Sequence, residues 1–346
     1  MADYRDIRDE IEEYDKGKNV INQYKRKLVE SIKKKHVNAF KSVLASGLDV
    51  NFSDYTSNYP IHHASALVPD KDSREILTTL IYSDVDLDVA DRFGCTPLHI
   101  AVGVSLETTV TLLDNGCFID AQDHAGCTPL MRACSNRSSE SLAIIQLLID
   151  TQCNIHLKDD EGFTALHYIC KNSQQDVNLR NEIVYKLLYS GLSPILQDNS
   201  GKMGLCHELD KFINNGNSVI NKEELVVLKT LICAGRNINF TNKVFTVWLT
   251  YTLPLYSNIF LLKLFQVIRP ILGQKFIRQL HKLYTSLPSC DNQIADIVAR
   301  YRDMPRSLKS SCRYTIRSNL KERVLFATED LPLPTSLKKY LLLSDN

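Results

Sequence analysis

The hexapeptide Thr-Pro-Leu-His-Ile-Ala, residues 96–101, recurs along this chain and decides its fold. Related boxes begin at Tyr59 (YPIHHA), Thr128 (TPLMRA) and Thr164 (TALHYI), and a decayed copy begins at Met203 (MGLCHE). Successive boxes are 37, 32, 36 and 39 residues apart. A period in this range is typical of an array in which one small supersecondary unit is repeated.

A second pattern, a helix end followed by a β-like pair of residues, keeps the same phase. It places six residues at equivalent positions: Gly47, Asp84, Gly116, Gln152, Gly191 and Gly235. The first four intervals are again 37, 32, 36 and 39 residues. Glycine suits this position because many helices close on a residue in the left-handed conformation. Asp84 and Gln152 depart from glycine, and Gln152 is the more strained choice.

The residues within each unit have physical roles that follow from their chemistry. A threonine at the start of the box is expected to cap a helix, because its hydroxyl can accept from an otherwise unpaired backbone amide. Proline fits the first turn, where no amide partner is needed. The tetrapeptides DRFG, DHAG, DDEG and DNSG predict tight turns, with Asp bonding the local backbone and Gly taking a positive φ.

This unit resembles the ankyrin repeat, whose signature is T-P-L-H-x-A at about 33 residues per copy. The resemblance covers residues 25–242 in about six copies, of which the first and last are degenerate. It implies an all-α solenoid of helix pairs with short β-hairpin-like fingers, which is typical of binding scaffolds. A helical extension (1–24) is expected before the repeats and a helical cap or degenerate repeat (243–302) after them.

Composition excludes few partners but favours a reducing compartment. Basic and acidic residues number 41 and 40, so the overall charge favours neither nucleic acid nor a membrane as a partner. The start MADYRDIRDEIEEYD lacks the pattern of a signal peptide, and a cytoplasmic or nuclear protein is expected. The ten cysteines include no C-x-x-C pair, which favours small buried side chains over disulfides or a metal site.

Three further features have a functional and a structural interpretation. The apolar stretch Val244–Ile268 is interrupted by proline, asparagine and lysine, which favours buried helices over a membrane span. His62, His99 and His167 occupy the box position one repeat apart, so hydrogen bonding to neighbouring turns is favoured over a metal site. The basic run YKRKLVESIKKKH is either a nuclear address or the solvated face of an N-terminal capping helix.

The chain lacks the catalytic motifs that would indicate an enzyme. It contains no G-x-S-x-G, no phosphate-binding glycine loop and no H-E-x-x-H. We therefore predict no catalytic residue, no metal and no cofactor.

The last forty residues differ in character from the repeats. A helix start is predicted at Asp303 and Pro305, and Leu308, Cys312 and Ile316 follow at intervals of four on one side of that helix. Further on, the prolines of LPLP hold residues 331–334 extended. A segment this small needs a neighbour or a partner to be stable, and a plain helical cap on the solenoid is one interpretation.

The order of these parts, Leu-x-x-x-Cys-x-x-x-Ile and then Leu-Pro-Leu-Pro, resembles the suppressor-of-cytokine-signalling box (SOCS box), here residues 303–346. Behind an ankyrin array, the whole chain resembles the ankyrin-repeat and SOCS-box family, whose members are substrate receptors of a cullin-5 RING ubiquitin ligase. The resemblance implies that Leu308, Cys312 and Ile316 contact Elongin C, which is bound to Elongin B. It assigns recruitment of cullin-5 and its RING subunit to four residues: Leu331, Pro332, Leu333 and Pro334. The alternative is an ankyrin adaptor or sequestering protein without ligase activity.

The ankyrin repeats are expected to bind an unknown protein substrate through the finger turns and the neighbouring helices. The fingertips carry different chemistry, from Arg92 and Phe93 through His124 to Asp160 and Glu161. Phe93 is the strongest candidate, because an aromatic side chain at an exposed tip has little role in folding. Local packing of Phe93 against a neighbouring finger is an equal alternative.

Overall fold

The computed structural model describes residues 19–136, 138–172, 176–214 and 224–234. The chain divides into two compact units, Met1–Asp160 and Glu161–Asn346. Gly235, the expected cap or degenerate repeat at 243–302 and the expected SOCS box at 303–346 lie outside the described residues, as does the apolar stretch Val244–Ile268.

The first unit consists of paired helices in its described part. They are α1 (residues 19–33), α2 (Val37–Leu44), α3 (Pro60–Ser65), α4 (Lys71–Ile81), α5 (Pro97–Val104), α6 (Leu106–Asp114), α7 (Pro129–Ser135) and α8 (Ser141–Asp150). The first helices of successive pairs pack on each other, α3 on α5 and α5 on α7, while α2 packs on α4 and α6 on α8. This side-by-side packing of helix pairs is the architecture that the repeat period predicts.

The second unit continues the pattern with two described pairs. They are α9 (Ala165–Lys171), α10 (Val177–Tyr189), α11 (Gly204–Asn214) and α12 (Glu224–Ala234). Helix α9 packs on α10 and α11, and α12 packs on α10 and α11. Within the described ranges, extended pairing is limited to one isolated antiparallel bridge between Gln197 and Met203. The predicted all-α repeat fold is confirmed.

The box threonines begin helices, and the predicted hydroxyl cap forms at one of the three, Thr128. Thr96, Thr128 and Thr164 adopt extended backbone conformations at the starts of α5, α7 and α9. The hydroxyls of Thr96 and Thr164 lie 2.9 Å from Nδ1 of His99 and His167. The Thr128 hydroxyl accepts from the backbone amide of Met131 at 3.3 Å. Because each of these helices is at most eight residues long, such caps matter: short helices gain little from their own hydrogen bonds.

The helix-closing position takes the left-handed conformation whichever residue occupies it. Gly47, Gly116 and Gly191 have φ values of 76°, 83° and 101°, and Asp84 and Gln152 have φ values of 57° and 63°. Glycine adopts this conformation without a steric penalty, whereas a side chain makes it costly. The strain predicted for the two exceptions is therefore present in the backbone.

The core lies between the helix pairs and is largely aliphatic. Leu98 and Leu112 in the first unit, and Ile183 and Leu187 in the second, are completely buried. The seven cysteines from Cys95 to Cys206 are all buried thiols, as predicted. Burial raises the pKa of Cys117 to about 12, which makes its thiol unreactive at neutral pH. Among the described helices, none combines the length and apolar character that crossing a membrane requires.

Candidate functional site

Each fingertip is a turn built on one aspartate. Asp91 Oδ1 accepts from the backbone amides of Phe93 at 2.8 Å and Cys95 at 2.9 Å. Gly94 follows with a φ of 80° and donates its amide to the Asp91 carbonyl at 3.0 Å. Asp123 makes the equivalent bonds in the next turn, both at 2.9 Å. The predicted Asp-x-x-Gly turns are confirmed.

Successive fingertips of the first unit are joined through their backbones. The His124 amide donates to the Phe93 carbonyl at 2.9 Å, and the Asp160 amide donates to the Ala125 carbonyl at 3.0 Å. The approach is so close that a Cβ atom on Gly126 would lie 2.9 Å from the Asp160 nitrogen. These bonds hold the turns at 91–95, 123–127 and 159–160 in one row.

The second unit contains a turn of the same kind. Asp198 Oδ1 accepts from the amides of Ser200 and Lys202, both at 2.9 Å. The Asn199 amide donates to the Glu161 carbonyl at 2.9 Å. Glu161 is therefore exposed at a fingertip that is fixed by the same backbone bond as in the first unit.

The box histidines lie beneath the fingers and bond to the next turn. His62 Nε2 donates to the Cys95 carbonyl at 2.9 Å, and His99 Nε2 donates to the Cys127 carbonyl at 3.0 Å. His99 Nδ1 accepts from the Thr96 amide at 3.1 Å, so the ring is neutral with its proton on Nε2. Burial lowers the pKa of both histidines. Their predicted structural role is confirmed.

His167 makes the corresponding bond in the second unit, with Nε2 3.3 Å from the Lys202 carbonyl. The described residues contain no group of three or more histidine, cysteine, aspartate or glutamate side chains arranged to hold a metal ion.

The predicted substrate residues of the first unit lie along the fingertip row. Phe93 is 58% exposed, and the Arg92 guanidinium lies 4.6 Å from its ring centroid. His124 and Asp160 are exposed on the next two turns. The structure therefore places an aromatic ring, a cation, an imidazole and a carboxylate along one exposed edge.

Sequence reasoning missed one fingertip, the turn from Asp54 to Asn58. Its aspartate accepts from the amides of Thr56 at 2.8 Å and Asn58 at 3.1 Å, and Ser57 takes the positive φ of 63° that glycine takes elsewhere. Tyr55 at this tip is 92% exposed. The absent glycine hid the turn, although Asp54 stands 37 residues before Asp91, the same interval that separates the first two boxes.

A groove of about 490 Å³ lies between helix α1 and this first fingertip. Val29 and Phe52 form its apolar floor, and each is buried. Lys25, Arg26 and Lys33 stand on the α1 side. The basic run that begins at Tyr24 thus lies mostly on a helix with several cations exposed to solvent, consistent with a solvated helical face.

Two models of known protein families match parts of this chain. The family model described as ankyrin repeats (3 copies) matches residues 61–144 and 103–198, and the SOCS box model matches residues 304–342. The chain is an ankyrin-repeat and SOCS-box protein. No curated protein matches it.

The combination of ankyrin repeats and a SOCS box indicates the general role of this chain. A SOCS box generally binds Elongin B/C and a cullin, and with ankyrin repeats it indicates a substrate adaptor for a cullin-RING ligase. Both domains are typical of non-catalytic adaptors. Leu308, Cys312, Ile316 and the LPLP segment 331–334 fall inside the SOCS-box match but outside the described residues.

Proposed function

We propose that this chain is the substrate receptor of an Elongin B/C–cullin-5 RING ubiquitin ligase in the cytoplasm. The observation that supports this most is the order of its parts, ankyrin repeats at 61–198 followed by a SOCS box at 304–342. The receptor does no covalent chemistry itself. It raises the effective concentration of a substrate lysine near the charged conjugating enzyme, which is catalysis by proximity.

The two ends of the SOCS box have separate roles in this proposal. The resemblance to the SOCS box assigns Leu308, Cys312 and Ile316 to contact with Elongin C, and their spacing of four is consistent with one helix face. Residues 331–334 present two leucines to cullin-5, and the two prolines reduce the conformational entropy lost on docking.

The substrate binds along the fingertip row of the first unit. Phe93 supports this choice because it is a large exposed aromatic on a turn whose backbone is fixed on both sides. Aromatic and arginine side chains dominate interface hot spots, and Arg92 stands beside it. His124 and Asp160 extend the same edge, while Glu161 offers a carboxylate on the second unit.

A reconstitution with purified Elongin B/C and cullin-5 tests the ligase assignment. Leu308→Ala removes a leucine side chain that would be buried, which costs about 2 to 5 kcal/mol and weakens Elongin C binding roughly thirtyfold or more. Lys309→Ala, one step around the helix, is the matched control and leaves binding unchanged. Wild-type retention of Elongin C by the Leu308 variant contradicts the assignment and favours an adaptor without ligase activity.

The same reconstitution separates the two roles. Replacing residues 331–334 with four alanines is expected to preserve Elongin B/C binding and to weaken cullin-5 recruitment and ubiquitination. Loss of Elongin C as well would make the segment a structural cap.

Proximity labelling with degradation blocked then compares wild type with Phe93→Ala, and an unchanged set of labelled partners contradicts the fingertip assignment.

A further inference from the structure

The groove between α1 and the first fingertip has its carboxylates already engaged. Asp54 Oδ2 lies 2.8 Å from His63 Nε2, and its Oδ1 accepts the turn amides. Although burial opposes it, hydrogen bonds from Thr56 and His63 lower the pKa of Asp54 to about 2. Glu30 is paired with Lys34 at 2.7 Å. Glu30 is thus paired with a lysine that does not line the groove, and Asp54 pairs with Lys33 at 4.0 Å, which leaves Lys25 and Arg26 without an ion pair to a described residue.

The cations of the groove have fewer and more distant partners of opposite charge than its carboxylates have hydrogen-bond donors. Lys25 Nζ lies 4.8 Å above the Phe52 ring, and it makes no ion pair within the described part of the chain. Arg26 is exposed and makes no ion pair with any described residue. Lys33 is 45% exposed and approaches Asp54 only at 4.0 Å. Because Lys25 and Arg26 have no carboxylate partner among the described residues, this wall gains from a partner that brings negative charge.

The apolar part of the groove points to a second requirement. Val29 and Phe52 form a floor of low polarity, and Tyr55 projects from the tip with almost its whole side chain in water. An exposed tyrosine supplies a large contact area with few rotatable bonds, which suits an interface anchor. A partner that offered charge alone would leave this area unused.

We propose that this groove binds an acidic segment of a protein partner. Its aspartate or glutamate side chains pair with Lys25, Arg26 and Lys33, and an apolar side chain between them packs on the floor and against Tyr55. A nucleic acid fits less well, since a continuous run of phosphates would lie against Glu30 and Asp54, whereas a peptide can place its carboxylates opposite the cations alone. This proposal does not depend on the ligase role.

Fluorescence anisotropy on the full chain tests the proposal with a defined probe. The probe is a short labelled peptide of glutamate and aspartate residues around a central Leu-Phe pair. A second peptide replaces Leu-Phe with Gly-Gly, a third replaces the acidic residues with lysine, and a single-stranded oligonucleotide serves as the nucleic-acid probe. We expect the Leu-Phe acidic peptide to bind tightest and to weaken as salt is raised, because salt screens exposed charge pairs.

Matched variants locate the site. Lys25→Glu/Arg26→Glu is expected to weaken binding of the acidic peptide at least tenfold, and Tyr55→Ala about fivefold. The control is Lys27→Glu/Lys71→Glu, which changes the net charge equally but alters Lys27, on a different groove between α1 and α2, and Lys71, at the start of α4. We expect less than a twofold effect, and circular dichroism verifies that each variant is folded.

Several results would overturn the proposal. Equal losses in both charge-reversal variants would mean that the peptide responds to overall charge rather than to the groove. Equal binding of the Leu-Phe and Gly-Gly peptides would remove the role of the apolar floor and Tyr55. Tighter binding of the oligonucleotide, lost in Lys25→Glu/Arg26→Glu, would make this a nucleic-acid site, and absence of binding by the wild type would rule out the groove.

Discussion

The two units hold successive repeats together with different chemistry. In the first unit, neutral histidines donate to carbonyl groups of the next turn, with His62 and His99 at 2.9 and 3.0 Å. In the second unit the corresponding bond of His167 is longer, at 3.3 Å, and a charged cluster lies among α9, α10 and α11. The histidine bonds repeat with the sequence period, whereas the charged cluster occurs once in the part of the second unit that the structure describes.

The charged cluster is almost completely removed from water. Arg180 and Glu208 are only 4% and 2% exposed, and the Arg180 guanidinium contacts both carboxylate oxygens. Lys211 Nζ donates to Glu208 Oε2 at 3.0 Å and to the Asn172 carbonyl at 2.7 Å. Burial lowers the pKa of Lys211 although the charge of Glu208 opposes it.

This difference bears on how the units respond to substitution. A buried ion pair pays a large desolvation cost, so its net contribution is small while both partners are present and its loss is severe when one is removed. A neutral hydrogen bond contributes about 1 kcal/mol and costs more when its partner stays buried and unpaired. The second unit should therefore be the more sensitive to single polar substitutions.

The largest effect is expected from Glu208→Ala. It leaves the buried Arg180 and the partly buried Lys211 without their carboxylate, which costs about 3 to 5 kcal/mol. Hydrogen exchange measured by mass spectrometry should show faster exchange across residues 161–214, with little change in the first unit. If Glu208→Ala lowered the unfolding free energy no more than an alanine substitution of a box histidine does, the contrast between the units would be wrong.

The apolar exchange Arg180→Met/Glu208→Leu/Lys211→Met is the control for that experiment. It removes the charges together, so the desolvation cost disappears with the attraction, and stability should stay close to that of the wild type. A triple variant as unstable as Glu208→Ala would show that the cluster is stabilising in itself.

His99→Ala is expected to cost about 2 to 3 kcal/mol in the first unit. The substitution leaves a cavity and deprives the buried Cys127 carbonyl of its donor. Urea unfolding followed by circular dichroism measures the loss. His124→Ala is the matched control on an exposed fingertip and should stay within about 0.5 kcal/mol of the wild type.

The same histidine predicts a pH dependence. Burial lowers the pKa of His99 below its unfolded value of 6.5, so the unfolded chain binds the proton more readily. Stability is therefore fully present above about pH 6.5 and is lost as pH falls below that value. Urea midpoints at a series of pH values should decline less steeply below pH 6.5 in His99→Ala than in the wild type.

Much of this architecture could be predicted from periodic residues. The boxes, the Asp-x-x-Gly turns and the left-handed positions each recur at a fixed phase, and their roles are local enough to follow from residue type. The bond from His99 to Cys127 was predictable for the same reason. The pairing of Arg180 with Glu208 was not, because it depends on how α10 and α11 face each other, which no repeated signature records.

The candidate site divides along the same line. Phe93 could be singled out from sequence because its turn carries the aspartate and the glycine. Tyr55 escaped because Ser57 replaces that glycine, and only the structure shows the positive φ that identifies the turn. The groove itself depends on α1 lying beside that turn, a contact between segments with no shared motif.

A smaller effect should separate fingertip contact from backbone strain. Gly126 and Gly116 have similar φ values of 76° and 83°, but an added Cβ meets the Asp160 nitrogen at 2.9 Å only at Gly126. We expect Gly116→Ala to cost about 1 kcal/mol and Gly126→Ala about 2 kcal/mol, because only the second displaces the neighbouring turn. Equal losses of unfolding free energy in the two variants, measured by urea unfolding, would mean that the neighbouring fingertip can move away from the added Cβ atom at little cost.

The smallest effect should be a gain, from Gln152→Gly. Gln152 takes a left-handed φ of 63°, which strains its backbone. Its side chain is exposed, so no burial of the side chain offsets this strain. That conformation costs a residue with a Cβ about 1 to 2 kcal/mol. Glycine removes this cost, but it also gives the unfolded chain more conformational entropy, which offsets part of the stabilisation. The net expectation is a rise in unfolding free energy of about 0.5 to 1 kcal/mol, measured by urea unfolding. Asp84→Gly should gain less, since aspartate tolerates this region better. Gln152→Ala keeps the Cβ atom and should gain nothing; a gain equal to that of glycine would place the effect in the glutamine side chain rather than in the backbone.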